Sequence, residues 1–228
     1  MHDVAWLNDS KIVSAGDDMS IRLWNIKDDT KGVAIVAEGT PSYCHDGTIP
    51  RLAQSSNRQV LLSASRDGTL GVWSFKDPFQ LARQLKGHTE DVMDVSMSPD
   101  GSQAASVSYD GTLCRWDLQS GELLQQGAID RGRLFCFCMN WQAETAIIGS
   151  QRGIIEWSLR GGSAVRQVSD QTMVARIVED AAGQILATSS ADGRIVLRDR
   201  QLNRISEIQL YDRQLDTLSE THFQAASR

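Results

Sequence analysis

Ser106-Val-Ser-Tyr-Asp110-Gly-Thr-Leu-Cys-Arg-Trp116 is the stretch on which the fold turns. A hydroxyl and a carboxylate stand ten and six residues before a closing indole, and Asp110-Gly111 separates two short apolar runs. Asp-Gly in that setting signals a tight hairpin, because both residues tolerate the positive φ that a two-residue turn demands. The same spacing recurs in Ser14…Asp18…Trp24 and Ser63…Asp67…Trp73. Two looser copies follow. Ile148…Trp157 is one residue shorter, and Thr188…Asp192…Arg198 ends on arginine. The anchor positions 24, 73, 116, 157 and 198 step by 49, 43, 41 and 41 residues.

A repeat of that length is the signature of four-stranded propeller blades. Inside each period Asp67-Gly68, Asp110-Gly111 and Asp192-Gly193 mark one hairpin, and Asp100-Gly101 and Ala182-Gly183 mark the one before it. Runs such as Val60 to Ser65 and Thr69 to Trp73 read as strands. Four prolines and no sustained 3.6-residue apolar stripe leave little room for helices. The expected class is all-β, a β-propeller with five recognisable blades over about 1–40, 45–87, 88–129, 130–170 and 171–212. Residues 213–228 then form a tail or the start of a further blade.

Composition narrows the function classes. The 228 residues are 41% hydrophobic and 23% charged, which suits a soluble globular protein, and no apolar run approaches the length of a membrane-spanning helix. A formal charge of −6 disfavours nucleic acid and anionic lipid as partners. Cys44, Cys114, Cys136 and Cys138 lack CxxC spacing, and the 136/138 pair on a strand puts two buried thiols on one face, with no metal or disulfide implied. Without a basic region followed by an apolar run at the N-terminus, a reducing, cytoplasmic setting is expected, and the sequon at Asn8-Asp9-Ser10 carries little meaning.

Gly87-His88, the run Val92 to Gly101, Ser106, Asp110 and Trp116-Asp117 resemble a nearly complete WD repeat, and the resemblance to the WD-repeat β-propeller family extends over almost the whole chain. It implies a His, Ser/Thr, Asp, Trp tetrad inside each blade, complete as His45, Ser63, Asp67, Trp73 and as His88, Ser106, Asp110, Trp116. The first copy keeps Ser14, Asp18 and Trp24. The fifth keeps Thr188 and Asp192, with Asp170 at the histidine place and Arg198 at the tryptophan place. In the fourth only Trp157 remains, beside Asp130, Ile148 and Arg152.

Serine, histidine and aspartate together invite a hydrolase reading. The set recurs in successive repeats, as a structural device does, and no GxSxG elbow, HExxH, GxxxxGK[ST] or GxGxxG occurs. Gly161-Gly162 reads as a turn. Function is therefore expected on loops at one face. The resemblance places there the residues before the turn aspartate, Asp17, Arg66 and Tyr109, and residues entering the innermost strand, Asp91, Arg133 and Phe135. Arg and Tyr are common interface anchors. Trp6 is expected in the core, and Trp141 in a hairpin turn, where an exposed indole would be a contact candidate.

Val4-Ala5-Trp6 aligns with Val95-Ser96-Met97, so the chain begins inside a repeat and His2 is not a tetrad histidine. Ile205 to Leu210 can supply an outer strand to the fifth blade, and Leu215 to Leu218 weakly resembles another innermost strand. Part of a longer propeller, usually seven blades in the family, or a compact five-bladed ring are the two arrangements this allows. An open arc would favour association with further blades or subunits. The expected function is a non-enzymatic scaffold that docks protein or peptide partners without a cofactor. The alternative is the sensor or regulatory part of a larger signalling enzyme, an ATPase, kinase or protease, whose catalytic domain lies outside these residues.

Overall fold

A computed structural model of the chain describes residues 1–8, 10–29, 32–43, 45–75, 80–169, 172–180 and 182–210, with the backbone alone for 27–29 and 32–43. Cys44, Asp9, Asp170 and the whole segment 213–228 lie outside the described residues. The rest is all-β: twenty strands in five four-stranded antiparallel sheets and no helix. The first sheet holds β1 (Asp3–Asn8), β2 (Lys11–Ala15), β3 (Ser20–Asp29) and β4 (Gly32–Tyr43). The second holds β5 (Arg51–Gln54), β6 (Val60–Ala64), β7 (Thr69–Ser74) and β8 (Gln80–Lys86). In the third are β9 (Val92–Met97), β10 (Gln103–Ser108), β11 (Thr112–Asp117) and β12 (Leu123–Ala128). The fourth contains β13 (Leu134–Asn140), β14 (Thr145–Ser150), β15 (Gly153–Ser158) and β16 (Ser163–Val168). The fifth contains β17 (Val174–Glu179), β18 (Ile185–Ser190), β19 (Arg194–Asp199) and β20 (Arg204–Gln209). Every sheet is a meander in chain order, so each connection is a hairpin.

The turns follow the residues. Gly68, Gly111 and Gly193 take φ of 83°, 77° and 81° at the second hairpin of their sheets, and Gly162 takes 59° in the turn between β15 and β16. The first sheet has Met19 at the corresponding place, with φ 58°. A side chain there is strained, because Cβ crowds the following carbonyl.

Successive sheets bury their apolar faces on one another. Leu7, Val13 and Ile21 meet Ile49, Leu61 and Trp73; Leu62, Leu70 and Leu85 meet Val95, Met97 and Trp116. Val107 and Leu113 meet Ile148, Ile155 and Trp157, and Cys136, Ile147 and Ile154 meet Val174, Ile177 and Leu186. The core is thus a series of slabs, each fully buried Leu or Ile contributing about 1.5–3 kcal/mol. Polar latches cross the slabs at the innermost strands. Asp3 accepts from the Leu52 amide at 2.9 Å, Arg51 Nε donates to Asp94 at 2.9 Å, and the other Asp94 oxygen accepts from the Phe137 amide at 3.1 Å. Asp94 is buried, so these partners are what make its carboxylate tolerable. Cys136 and Cys138 lie on one face, as their spacing predicts, with Sγ 3.7 and 3.4 Å from the Val174 and Ile177 carbonyls. Burial pushes the Cys138 thiol up to about 11 and Cys136 higher still, which keeps both unreactive.

Trp6 departs from the expectation of a core residue, being 56% exposed. It sits opposite Ile12, as Met97 sits opposite Ala104. Met97 is covered by the second sheet, whereas among the described residues nothing comparable covers that face of β1. Trp141 lies in the hairpin turn but is partly buried against the slab between third and fourth sheets, Nε1 3.3 Å from Ser96 Oγ.

The strain at Met19 has a direct test. Met19→Gly relieves a left-handed Cβ at the cost of unfolded-chain entropy, and should raise stability by about 0.5–1 kcal/mol, read as a higher urea midpoint with an unchanged m-value.

Candidate functional site

Two sheets carry a complete polar relay under the loops. In the second, Trp73 Nε1 donates to Ser63 Oγ at 3.0 Å, Ser63 Oγ lies 2.8 Å from His45 Nε2, and His45 Nδ1 lies 2.9 Å from Asp67. In the third the corresponding distances are 2.9, 2.8 and 3.0 Å through Ser106, His88 and Asp110. One assignment of protons satisfies every member: indole N–H to hydroxyl, hydroxyl to imidazole Nε2, imidazole Nδ1–H to carboxylate. The relay is tightly fitted. A Cβ on Gly71 would stand 2.6 Å from Ser63 Oγ and 2.9 Å from Trp73 Nε1, so the second sheet closes tightly at a place the third sheet gives to Cys114.

The carboxylates do a second job. Asp67 accepts from the Asp46 amide and Asp110 from the Thr89 amide, both at 2.9 Å, so each relay anchors the loop leading into its innermost strand. Burial works against ionisation of Asp67 and Asp110, but these amides, the threonines at 69 and 112 and the histidines outweigh it and hold both carboxyls below the usual carboxylate range. Burial lowers the His45 imidazole despite the attraction of Asp67.

Elsewhere the relay is cut down. Trp24 still donates to Ser14 at 2.8 Å, but Asp18 bonds Arg22 at 2.8 Å. In the fourth sheet Ile148 offers no hydroxyl, and the buried Trp157 Nε1 has no partner among the described residues. In the fifth, Thr188 Oγ1 turns to the Val196 carbonyl at 3.3 Å, Asp192 pairs with Arg194 at 2.6 Å, and the buried Arg198 donates to the Leu202 carbonyl at 3.2 Å.

The loop face is built on these anchors. In four sheets the residue before the turn position donates its amide to the loop entering the innermost strand: Arg66 to Thr48, Tyr109 to Asp91 and Gln151 to Arg133, each at 2.9 Å, and Ala191 to Met173 at 3.4 Å. Five of the six loop residues expected from the sequence come together there. The Arg133 guanidinium stands 4.9 Å from the centre of the Tyr109 ring, and the Tyr109 and Phe135 rings meet edge-to-face at 5.2 Å. Arg66 Nε is 3.8 Å from Asp91. Asp17 lies at the edge, exposed, bonded at 2.6 Å to His2 and favoured in its ionised form by the nearby Arg66 charge as well. Arg66, Asp91, Tyr109 and Arg133 line a depression of about 490 Å³ together with Thr89 and Glu90.

A second depression, of about 240 Å³, gathers residues that sequence reasoning missed. Its lining includes Pro50, Met93, Met173, Ala175 and Arg176 beside His2, Arg66, Tyr109 and Phe135. The register explains their place. In β9, β13 and β17 the pairing skips one residue, from Val92 to Asp94, Leu134 to Cys136 and Val174 to Arg176, leaving Met93, Phe135 and Ala175 at equivalent bulges. A bulged residue is re-aimed out of the sheet. The signal available in the sequence was repeat equivalence, since Met93 and Ala175 follow a buried aliphatic as Phe135 does.

Five hairpin-linked meanders, packed face to face, with a Trp-Ser-His-Asp relay inside the blade, define a β-propeller of repeated blades. The sequence model of the family "WD domain, G-beta repeat" matches residues 1–25, 40–74 and 79–117, and the chain belongs to the WD-repeat proteins. The matches end where the complete relays end. The chain is 29% identical over 115 residues to Protein groucho of Drosophila melanogaster, covering 50% of this chain and 15% of that one. It is 40% identical over 87 residues to small ribosomal subunit protein RACK1 of Saccharomyces cerevisiae, covering 36% and 27%. With apoptotic protease-activating factor 1 of Rattus norvegicus it shares 33% identity over 123 residues, covering 54% and 9%. The match thus spans less than a third of each of these relatives. Proteins of this kind are generally interaction scaffolds and typically non-enzymatic.

Two outcomes test the relay. Trp116→Phe should cost about 1 kcal/mol more than Trp157→Phe in chemical denaturation, because both changes remove the same volume but only the first breaks an indole hydrogen bond. The pH dependence has two stages. His45, lowered in the fold, contributes stability that is complete above the unfolded value near 6.5 and is lost as pH falls below it. Asp67 and Asp110, lowered likewise, contribute stability present above about pH 4 and lost as pH falls through their folded values. Thermal melts should show both declines, and His45→Gln should flatten the first while leaving the part of the second that Asp110 carries.

Proposed function

We propose that the chain is a non-enzymatic docking module that captures a protein or peptide partner on its loop face through Arg66, Tyr109, Asp91, Arg133 and Phe135, with Asp17 at the margin. The observation that carries this is the convergence of those side chains, drawn from the second, third and fourth sheets, around two adjoining depressions. Arg and Tyr give a docking site large contact areas with directional hydrogen bonds, and here the stacked Arg133, Tyr109 and Phe135 hold one another in place, so little freedom is lost when a partner arrives. The same geometry speaks against hydrolysis. Ser63 and Ser106 are fully buried, and each hydroxyl is spent on an indole and an imidazole.

A regulatory domain of a larger signalling enzyme is the second reading, favoured by the likeness of about half the chain to a small part of apoptotic protease-activating factor 1. Both readings use the same face. Affinity capture from the native organism with the full-length gene product should retain a partner on the wild-type chain and lose most of it with Arg66→Ala/Tyr109→Ala, while the melting temperature moves by little. Equal capture before and after would remove these residues from the docking site.

A further inference from the structure

We infer that the smaller, central depression of the loop face receives an acidic peptide segment with an apolar side chain next to its carboxylates. The inference rests on the docking reading above and adds the chemistry of the occupant.

The floor and the rim differ in kind. Pro50, Met93, Phe135 and Ala175 occupy equivalent positions at the entrances of four innermost strands, each following a fully buried Ile49, Val92, Leu134 or Val174 that fixes the backbone beneath it. Met173 joins them. These supply an apolar seat of about 240 Å³, below the roughly 300–1,000 Å³ of pockets that enclose whole small molecules and suited to one side chain. Methionine in such a seat adapts its shape to the side chain it meets.

Around the seat stand Arg66, Arg176 and His2, and among the described residues none of those lining it carries a carboxylate, Asp17 standing outside the lining behind His2. The two guanidinium groups are weakly committed. Arg176 is exposed and pairs with no carboxylate among the described residues. Arg66 has Asp91 at 3.8 Å, with both side chains a third or more exposed, and feels Asp17 only at longer range; His2, by contrast, is spent on Asp17 at 2.6 Å, so the seat's available charge is that of the two arginines. Arg133, next to the seat, rests on the Tyr109 ring and likewise makes no ion pair among the described residues. Glu90 and Asp91 line the neighbouring depression instead. In a chain of net charge −6, a local excess of underused guanidinium groups above an apolar floor is complementary to carboxylates flanking an apolar residue. A basic segment would meet Arg66 and Arg176 as like charges, which is a penalty of the kind that excludes wrong partners.

The test is selection of phage-displayed random heptapeptides on the 228-residue chain, followed by fluorescence anisotropy of the selected peptides with wild type, Arg176→Gln and Tyr109→Ala, each checked for an unchanged melting temperature. Expected are peptides with Asp or Glu beside Leu, Ile, Met or Phe, affinity at least tenfold weaker with Arg176→Gln, loss of binding when Glu becomes Gln, and weakening with added salt. Selection of neutral or basic peptides whose binding still depends on Tyr109 would overturn the acidic chemistry and leave the docking face standing. Selected peptides indifferent to Tyr109→Ala would count against both. Absence of any enrichment would overturn this inference alone, since capture of a folded partner is scored separately. A labelled single-stranded oligonucleotide that bound more tightly than the peptides, with the same dependence on Arg176, would reassign the seat to a polyanion.

Discussion

The Ser106 hydroxyl lies 2.9 Å from an indole nitrogen and 2.8 Å from an imidazole nitrogen, and much of the third blade is arranged around keeping both contacts. Without it, two buried nitrogens would face an apolar slab with no acceptor or donor, at a cost of about 1–3 kcal/mol each. With it, His88 can reach Asp110, and Asp110 can reach the Thr89 amide. The chain then runs two residues to Asp91, whose carbonyl accepts from Tyr109. A hydrogen bond deep between two sheets is in this way connected, link by link, to the position of an aromatic ring on the surface. The second blade repeats the path from Ser63 through His45 and Asp67 to the Asp46 amide.

Sheets four and five show what the relay is not needed for. Ile148 replaces the hydroxyl and joins an aliphatic slab, and Arg198 replaces the indole and turns its guanidinium to a backbone carbonyl. Both sheets keep four paired strands. Backbone ladders and apolar burial therefore suffice to form a blade, and the relay adds positional order to the loops above it. The family match, which stops at residue 117, tracks this ordering device more closely than it tracks the fold.

The architecture was legible in the sequence because its two signals are local and repeated: Asp-Gly at the second hairpin of three sheets, and an indole six residues after the turn aspartate in the first three. The loop residues before the turn aspartate were legible for the same reason. Met93 and Ala175 were not, because their role comes from a one-residue skip in pairing that alternation of apolar residues does not display, and Met173 and Arg176 flank such a skip. Trp6 shows a different limit. Its strand position matches that of Met97, yet burial depends on whether another sheet lies across it, and that is a property of neighbours instead of the local pattern. Arg198 belongs to this group too, since a missing tryptophan is visible in the sequence while the carbonyl that compensates it is not.

The placement of the indoles has an optical consequence. Trp73, Trp116 and Trp157 each lie in a different slab, between the first and second, second and third, and third and fourth sheets, while Trp6 remains in water. Three of the four seams described thus carry a buried native fluorophore, one of them without, among the described residues, the hydrogen bond that shifts the emission of the others, and the seam between the fourth and fifth sheets carries none. Variants that keep one indole at a time turn the molecule into a strip of reporters, able to read in what order its blades separate when the chain is pulled, heated or bound.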